Sequence, residues 1–248
     1  MSRPEVLGII PSRFGAKRFP GKPLALIEGV PMIARVVRQA LRAKLLDRVL
    51  VATDDLRILR AAELAGAEGV LTPAALPSGS DRVAWVARKM KASLIVNIQG
   101  DEPVLEPSLI DAAAKVLLAD PSVLMSTVVV PLADRREWLD PNVVKAVLSA
   151  QGDALYFSRA PIPHPREGGM PRAYKHLGIY GYRRTWLLRM IRLPQTPLEK
   201  TEKLEQLRAL ENGVAIRAAV AKGLTMSVDV PSDVGKVERY LKRKGGRP

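Results

Sequence analysis

With 248 residues, 47% of them hydrophobic, the chain is long enough to bury a substantial α/β core; no stretch reads as a flexible linker, so one domain over 1–248 is expected. The absence of cysteine and the presence of only two histidines, His164 and His176, exclude disulfides, thiolate metal sites, a cysteine nucleophile and a histidine-rich metal centre. A formal charge of +14 points to an anionic partner, and charge alone does not choose among nucleic acid, a membrane surface and a nucleotide.

The short "MSRPE" runs straight into the apolar "VLGII" and no apolar run approaches the length of a membrane span, so the expectation is a soluble intracellular protein. Four continuous apolar runs, "VLGIIP", "RVLVATD", "EGVLTP" and "SLIVNIQGD", read as parallel strands covered on both faces. A helix is predicted from Pro31, with Ile33, Val36, Val37, Ala40 and Leu41 on its buried face, a second over "LRILRAAELAGA" ending near Gly66, and a third after Ser78 or Ser80. The βαβα alternation predicts a Rossmann-like, mostly parallel twisted sheet with helices on both faces. Ligands of such sheets bind outside the carboxyl ends of the strands, which directs attention to the loop after "VLGII", to Asp54 and Asp55, and to Asp101 and Glu102.

The second half departs from alternation. "VVKAVLS" and "ALYFSRAPI", joined by "AQGD", predict a β-hairpin, and the Pro- and Gly-rich "PIPHPREGGMPRAY" a loop. "HLGIYGY" reads as a strand, residues 184 to 193 and 196 to 212 as helices, and "VAIRAAVAK" and the short "TMSVDV" follow them. A last helix is capped by Ser232 or Asp233, and the basic tail "LKRKGGRP" reads as a solvated terminus.

Chemistry concentrates first in "IIPSRFGAKRFPGKPL", residues 9 to 24. It is not a triphosphate P-loop: Gly15 and Gly21 are separated by five residues, and Lys22 precedes Pro23 where that loop carries a metal-binding hydroxyl. Arg13, Lys17, Arg18 and Lys22 nonetheless put four cations into one loop at the end of the first strand, which suits the phosphates of a nucleotide. A metal must then be held by carboxylates elsewhere. Asp101 in "NIQGDEP" and Asp229 in "SVDVPSD", each after a predicted strand, are the candidates, since magnesium takes one or two carboxylates together with phosphates and waters.

Together, "IIPSRFGAKRFPGKPL", "VATDD", "SGSDR", "NIQGDEP", "ALYFSRAPIP", "KHLGIYGYR", "LEQLRALENG" and "VDVPSD" resemble the 3-deoxy-manno-octulosonate (Kdo) cytidylyltransferases, in that family's order from residue 9 to residue 233. The resemblance implies transfer of CMP from CTP to the anomeric hydroxyl of Kdo with release of pyrophosphate, in a cytoplasmic, magnesium-dependent homodimer serving lipopolysaccharide synthesis. It implies that residues 1 to 130 mainly bind nucleotide, and that 131 to 213 bind the sugar acid and form the dimer through the hairpin region. Arg13, Arg18 and Lys22 would hold the triphosphate, with Lys22 stabilising charge at the α-phosphoryl group and Asp101 and Asp229 holding magnesium. Arg159, His176, Tyr180, Glu205 and Gln206 match sugar-contacting positions, and Ser78, Gly79, Arg82 and Gln99 the nucleotide or sugar side of the cleft.

The chain also departs from the family's pattern. Phe14 and Phe19 replace Tyr and Leu, "ALP" at Ala75 to Pro77 stands where relatives carry polar residues, "SVDVPSD" replaces "GVDTPED", and the loop from 163 to 174 is short, so that it covers the sugar less completely. Two alternatives share the scaffold. One is a nucleotidyltransferase for another acidic sugar, such as an amino analogue of Kdo or a nonulosonate. The other is a basic nucleic-acid-binding protein, for which eleven aromatic residues are few as a stacking surface and the strand-end carboxylates have no use.

Overall fold

The computed structural model describes residues 3–15, 18–132 and 134–245; Lys17 and the last three residues of the basic tail lie outside the described residues. The first half alternates as the apolar runs predict. Strand β1 (Val6–Ser12) leads through the basic loop and a 3-10 turn (Lys22–Leu24) to a small ribbon, β2 (Leu26–Ile27) and β3 (Val30–Pro31). Then come α1 (Met32–Leu41), β4 (Arg48–Thr53), α2 (Leu56–Leu64), β5 (Glu68–Leu71), α3 (Gly79–Ala87), β6 (Leu94–Asn97) and α4 (Pro107–Ala119). Helix starts follow their capping chemistry: Asp55 accepts the Arg57 N–H at 2.8 Å, and Ser78, rather than Ser80, accepts that of Asp81 at 3.1 Å.

The second half holds β7 (Met125–Leu132), α5 (Arg135–Leu139), the predicted hairpin β8 (Lys145–Leu148) with β9 (Ala154–Ser158), β10 (Ala173–Arg183), α6 (Arg184–Met190), α7 (Pro197–Glu202), α8 (Leu207–Glu211), β11 (Ile216–Val220) and α9 (Pro231–Arg243). The sheet order is β11-β7-β10-β6-β1-β4-β5. Strands β6, β1, β4 and β5 are parallel, as are β7 and β11, whereas β10 runs antiparallel to both β6 and β7 and also pairs with β8. Two apolar layers cover the sheet: one gathers Ile10, Val36, Val96, Leu109 and Ile179, the other Leu7, Ile95, Val129, Phe157 and Tyr182. Burial on both faces is why these strands carry continuous rather than alternating apolar residues.

Four local expectations need correction. Leu41 is 45% exposed rather than on the buried face of α1, because it ends the helix and lies over Gly66, whose φ of 101° ends the next one. The helix expected over 196 to 212 is two helices, broken where Lys203 takes a left-handed conformation (φ 56°). Arg208 and Glu199 staple the two pieces through a buried two-point ion pair, Nε to Oε2 at 2.8 Å and Nη2 to Oε1 at 2.5 Å. "TMSVDV" forms no strand; the Val228 N–H instead ties this segment to the Asp101 carbonyl at 2.9 Å. Finally, α9 starts at Pro231, so Asp233 sits one turn inside the helix and accepts the Asp229 and Val230 N–H groups at 3.0 and 3.1 Å.

Candidate active site

The carboxyl ends of β1 and β6 open on a cleft of about 360 Å³ that gathers nine expected residues: Arg13, Arg18, Lys22, Ser78, Gly79, Arg82, Gln99, Asp101 and Asp229. The basic loop is folded back on itself by the Gly21 N–H, which donates to the Phe14 carbonyl at 3.0 Å, while the Phe14 N–H donates to Asp54 at 3.1 Å. Gly21 has φ 71°, a left-handed conformation that suits glycine, and its turn delivers Lys22 into the cleft. There the Lys22 ammonium donates to Asp101 Oδ2 at 2.7 Å and to the Val228 carbonyl at 2.9 Å, and lies 3.9 Å from Asp229 Oδ1. Arg18 reaches Asp229 from the solvent side at 2.8 Å. Gly100 lets this turn approach β1, since a Cβ there would come within 2.9 Å of the Pro11 carbonyl.

Around one ammonium the fold therefore assembles two carboxylates that stand far apart in the chain, Asp101 after β6 and Asp229 just before α9. Among the described residues no group of three or more His, Cys, Asp or Glu forms a closed metal cage. Two carboxylates already holding a cation between them, in a cleft lined by further cations, fit a hard divalent ion that completes its shell with phosphate oxygens and water. Arg82 has a different place from the open cations. It is 2% exposed, and its guanidinium is spent on Asp54 at 3.2 Å and on the Thr72 hydroxyl, so it braces the cleft wall. Leu76, from the altered "ALP" segment, lines the same cleft with an apolar side chain.

A second cleft, about 970 Å³, adjoins the first and shares Gly79, Gln99 and Asp229 with it. It contains the remaining expected residues, Arg159, His176, Tyr180, Glu205 and Gln206. None of residues 160 to 174 lines it. β10 supplies His176 and Tyr180, and the break between α7 and α8 presents Glu205 and Gln206. The Tyr180 hydroxyl donates to Gln206 Oε1 at 3.0 Å, and Gln99 donates to the Gly178 carbonyl at 3.0 Å. Burial lowers the His176 pKa to about 3, so the ring is neutral, with Nε2 at 2.9 Å from the Thr127 hydroxyl. Burial raises the Glu205 carboxyl, which accepts the Ser80 hydroxyl at 3.0 Å.

Arg159 is fixed more firmly than its surface-loop sequence suggests. Its Nε donates to the Glu202 carbonyl at 2.9 Å and Nη1 to the Pro141 carbonyl at 3.1 Å, leaving N–H groups at the tip of the guanidinium for a ligand. The Glu202 carboxylate accepts the Arg159 N–H and the Ser158 hydroxyl, while the buried Lys145 ammonium donates to the Arg159, Asp140 and Val143 carbonyls at 2.6, 2.8 and 2.6 Å. Sequence reading missed Asp54 as the brace of Arg82, and Lys145 and Glu202 as supports of Arg159. Asp54 had a signal in its place at a strand end; a lysine inside a strand and a glutamate on a helix end had none.

A family model described as Cytidylyltransferase matches residues 7–216. The chain is 46% identical over 246 residues to the 3-deoxy-manno-octulosonate cytidylyltransferase of Syntrophotalea carbinolica, covering 96% of this chain and 98% of that one. To the enzyme of the same name from Myxococcus xanthus it is 49% identical over 242 residues, with 97% and 98% covered. The chain belongs to the 3-deoxy-manno-octulosonate cytidylyltransferases. A solved structure of CMP:2-keto-3-deoxy-manno-octonic acid synthetase complexed with CTP superposes on this cytidylyltransferase with a TM-score of 0.92 at 37% identity, covering 97% of this chain and 99% of that one. The 4-diphosphocytidyl-2C-methyl-D-erythritol synthase of Anaerococcus prevotii, 10% identical with a TM-score of 0.66 over 98% of this chain and 100% of that one, shares the fold of the family member described here.

Proposed function

We propose that this protein transfers CMP from CTP to the anomeric hydroxyl of Kdo, giving CMP-Kdo and pyrophosphate. The observation that carries the reading is the junction of the two clefts. A cation-lined cleft suited to a triphosphate meets, at Gln99 and Asp229, a cleft whose arginine, neutral histidine, tyrosine and amides suit a polyhydroxylated acid. The acceptor hydroxyl attacks the α-phosphorus in line; the new P–O bond forms as the bond to pyrophosphate breaks, and the hydroxyl proton leaves to solvent. Arg13, Arg18 and Lys22 neutralise the triphosphate, and Lys22, held toward the Asp101 turn, stabilises charge at the α-phosphoryl group. The free tip of Arg159 binds the acceptor carboxylate, so that positioning supplies much of the rate.

Asp101 and Asp229 would hold magnesium, which supplies charge neutralisation at the phosphoryl oxygens when bound. The reaction is assigned to the cytoplasm and to lipopolysaccharide synthesis, with support from the relatives' shared name and from the lack, among the described residues, of a helix long and apolar enough to cross a membrane. A homodimer through the hairpin region is part of the same proposal, supported by the exposed Leu155 on edge strand β9 and Val220 on edge strand β11.

The test is pyrophosphate release with CTP and magnesium across Kdo, its amino analogue and a sialic acid, repeated with the other three nucleoside triphosphates. Release confined to CTP with Kdo is the expected outcome. Release with another acidic sugar moves the substrate, and no release with any pair removes the reading.

A further inference from the structure

A row of polar side chains crosses three strands beneath the second cleft. Asn97, the last residue of β6, is in register with Tyr180 of β10, which is in register with Thr127 of β7, so the three point to one face. Two of them are occupied. Thr127 contacts His176 Nε2 and donates to the Ile179 carbonyl, each at 2.9 Å, and Tyr180 donates to Gln206. Asn97 is not: it is 2% exposed, and among the described residues its amide makes no hydrogen bond, with Oδ1 fully enclosed. Gln206, 3% exposed, has its Oε1 satisfied by Tyr180 and its Nε2 enclosed and without a partner.

Leaving such a group unpaired costs about 1–3 kcal/mol, and native proteins keep few of them. Here Asn97 and Gln206 both line this one cleft. The two enclosed atoms are one acceptor and one donor, a pair that an apolar ligand leaves unsatisfied and a polyol completes.

We infer that Asn97 is a specificity-determining residue that hydrogen-bonds a secondary hydroxyl of the acceptor, working beside Gln206 at the floor of the second cleft. The inference rests on the proposed function, since it takes the acceptor to be a polyhydroxylated acid bound there. A carbon that has lost its hydroxyl leaves the Asn97 amide buried and unpaired, so the deoxy analogue is rejected by the same physics that makes the empty site costly.

The variant is Asn97→Leu, which keeps the branched arrangement of heavy atoms and lacks the amide. Wild type and variant are compared by thermal melting, by KM for CTP and for Kdo in pyrophosphate release, and with a series of monodeoxy Kdo analogues. The expected result is an unchanged or higher melting temperature, KM for CTP within about twofold, and KM for Kdo raised about tenfold or more. One monodeoxy analogue loses about tenfold or more on the wild type and nothing further on the variant. Should Asn97→Leu fail to fold, Asn97→Ser and the wild-type analogue series decide the matter. An active wild type with unchanged Kdo KM in the variant, or with no monodeoxy analogue impaired, overturns this inference and leaves the proposed function standing. A wild type inert toward Kdo overturns the proposed function and this inference with it.

Discussion

The Lys22 ammonium and the Asp101 carboxylate, 79 positions apart in the chain, meet at 2.7 Å and join the basic loop to the turn after β6. Replacing Lys22 by Ala removes that link and the cation assigned to the α-phosphoryl group. Turnover is expected to fall by about 10²–10³, the usual cost of deleting a preorganised charge at a reacting centre. Circular dichroism and melting of Lys22→Ala should show a folded protein; wild-type turnover in it removes Lys22 from the mechanism.

Asp229 is held for its task from behind, with its N–H bound by Asp233 at 3.0 Å and its carboxylate left toward both clefts. Asp229→Asn keeps the shape and discards the charge. The magnesium concentration giving half-maximal turnover should rise by about tenfold or more, since losing even an outer-shell partner of a metal ligand costs about that much. An unchanged magnesium titration counts against Asp229 as a ligand. Chelation of the wild type should abolish turnover, and added magnesium should restore it.

Arg159 has two of its donors committed to backbone carbonyls, so its backbone supports outlast the loss of the side chain. For Arg159→Ala the expected outcome is a KM for Kdo raised by about ten- to a hundredfold, in line with about 1.5–3 kcal/mol for a hydrogen bond to a charged group. CTP binding by calorimetry should be unaltered; equal loss of both ligands shows that the residue is misplaced.

His176 gives a pH prediction with a definite sign. Its pKa falls from 6.5 in the unfolded chain to about 3 in the folded protein because burial disfavours the charged ring. Between those values the unfolded state binds the extra proton, so stability is lost as pH falls from 6.5 toward 3, by up to about 1.4 kcal/mol per pH unit. Denaturant unfolding at pH 7, 6 and 5 should show a shallower acid decline in His176→Gln than in the wild type. Parallel slopes dispose of the idea.

What the sequence discloses and what it hides divide along physical lines. The runs that form β1, β4, β5 and β6 are legible because a strand buried on both faces is apolar at every position, and the fourteen residues expected at the site all line one cleft or the other. The second half was harder. Lys203 interrupts "TEKLEQLRAL" with a backbone conformation that no residue type announces, and Pro107–Ala119 and Met125–Leu132 were not singled out although they form α4 and β7. Lys145 hides for another reason: a strand lysine reads as solvent-facing, yet three carbonyls enclose its ammonium, and only the folded backbone brings them there.

Gly79, Gln99 and Asp229 form a wall common to both clefts, and a shared wall is a thermodynamic link. A ligand seated on one side meets residues that the other side also offers. Any factor by which CTP changes the affinity for the acceptor must then be the factor by which the acceptor changes the affinity for CTP. The order in which the two substrates arrive thus becomes a kinetic preference laid over a symmetric equilibrium, and Gln99, at the shared wall, is tied through the Gly178 carbonyl to the strand that carries His176 and Tyr180.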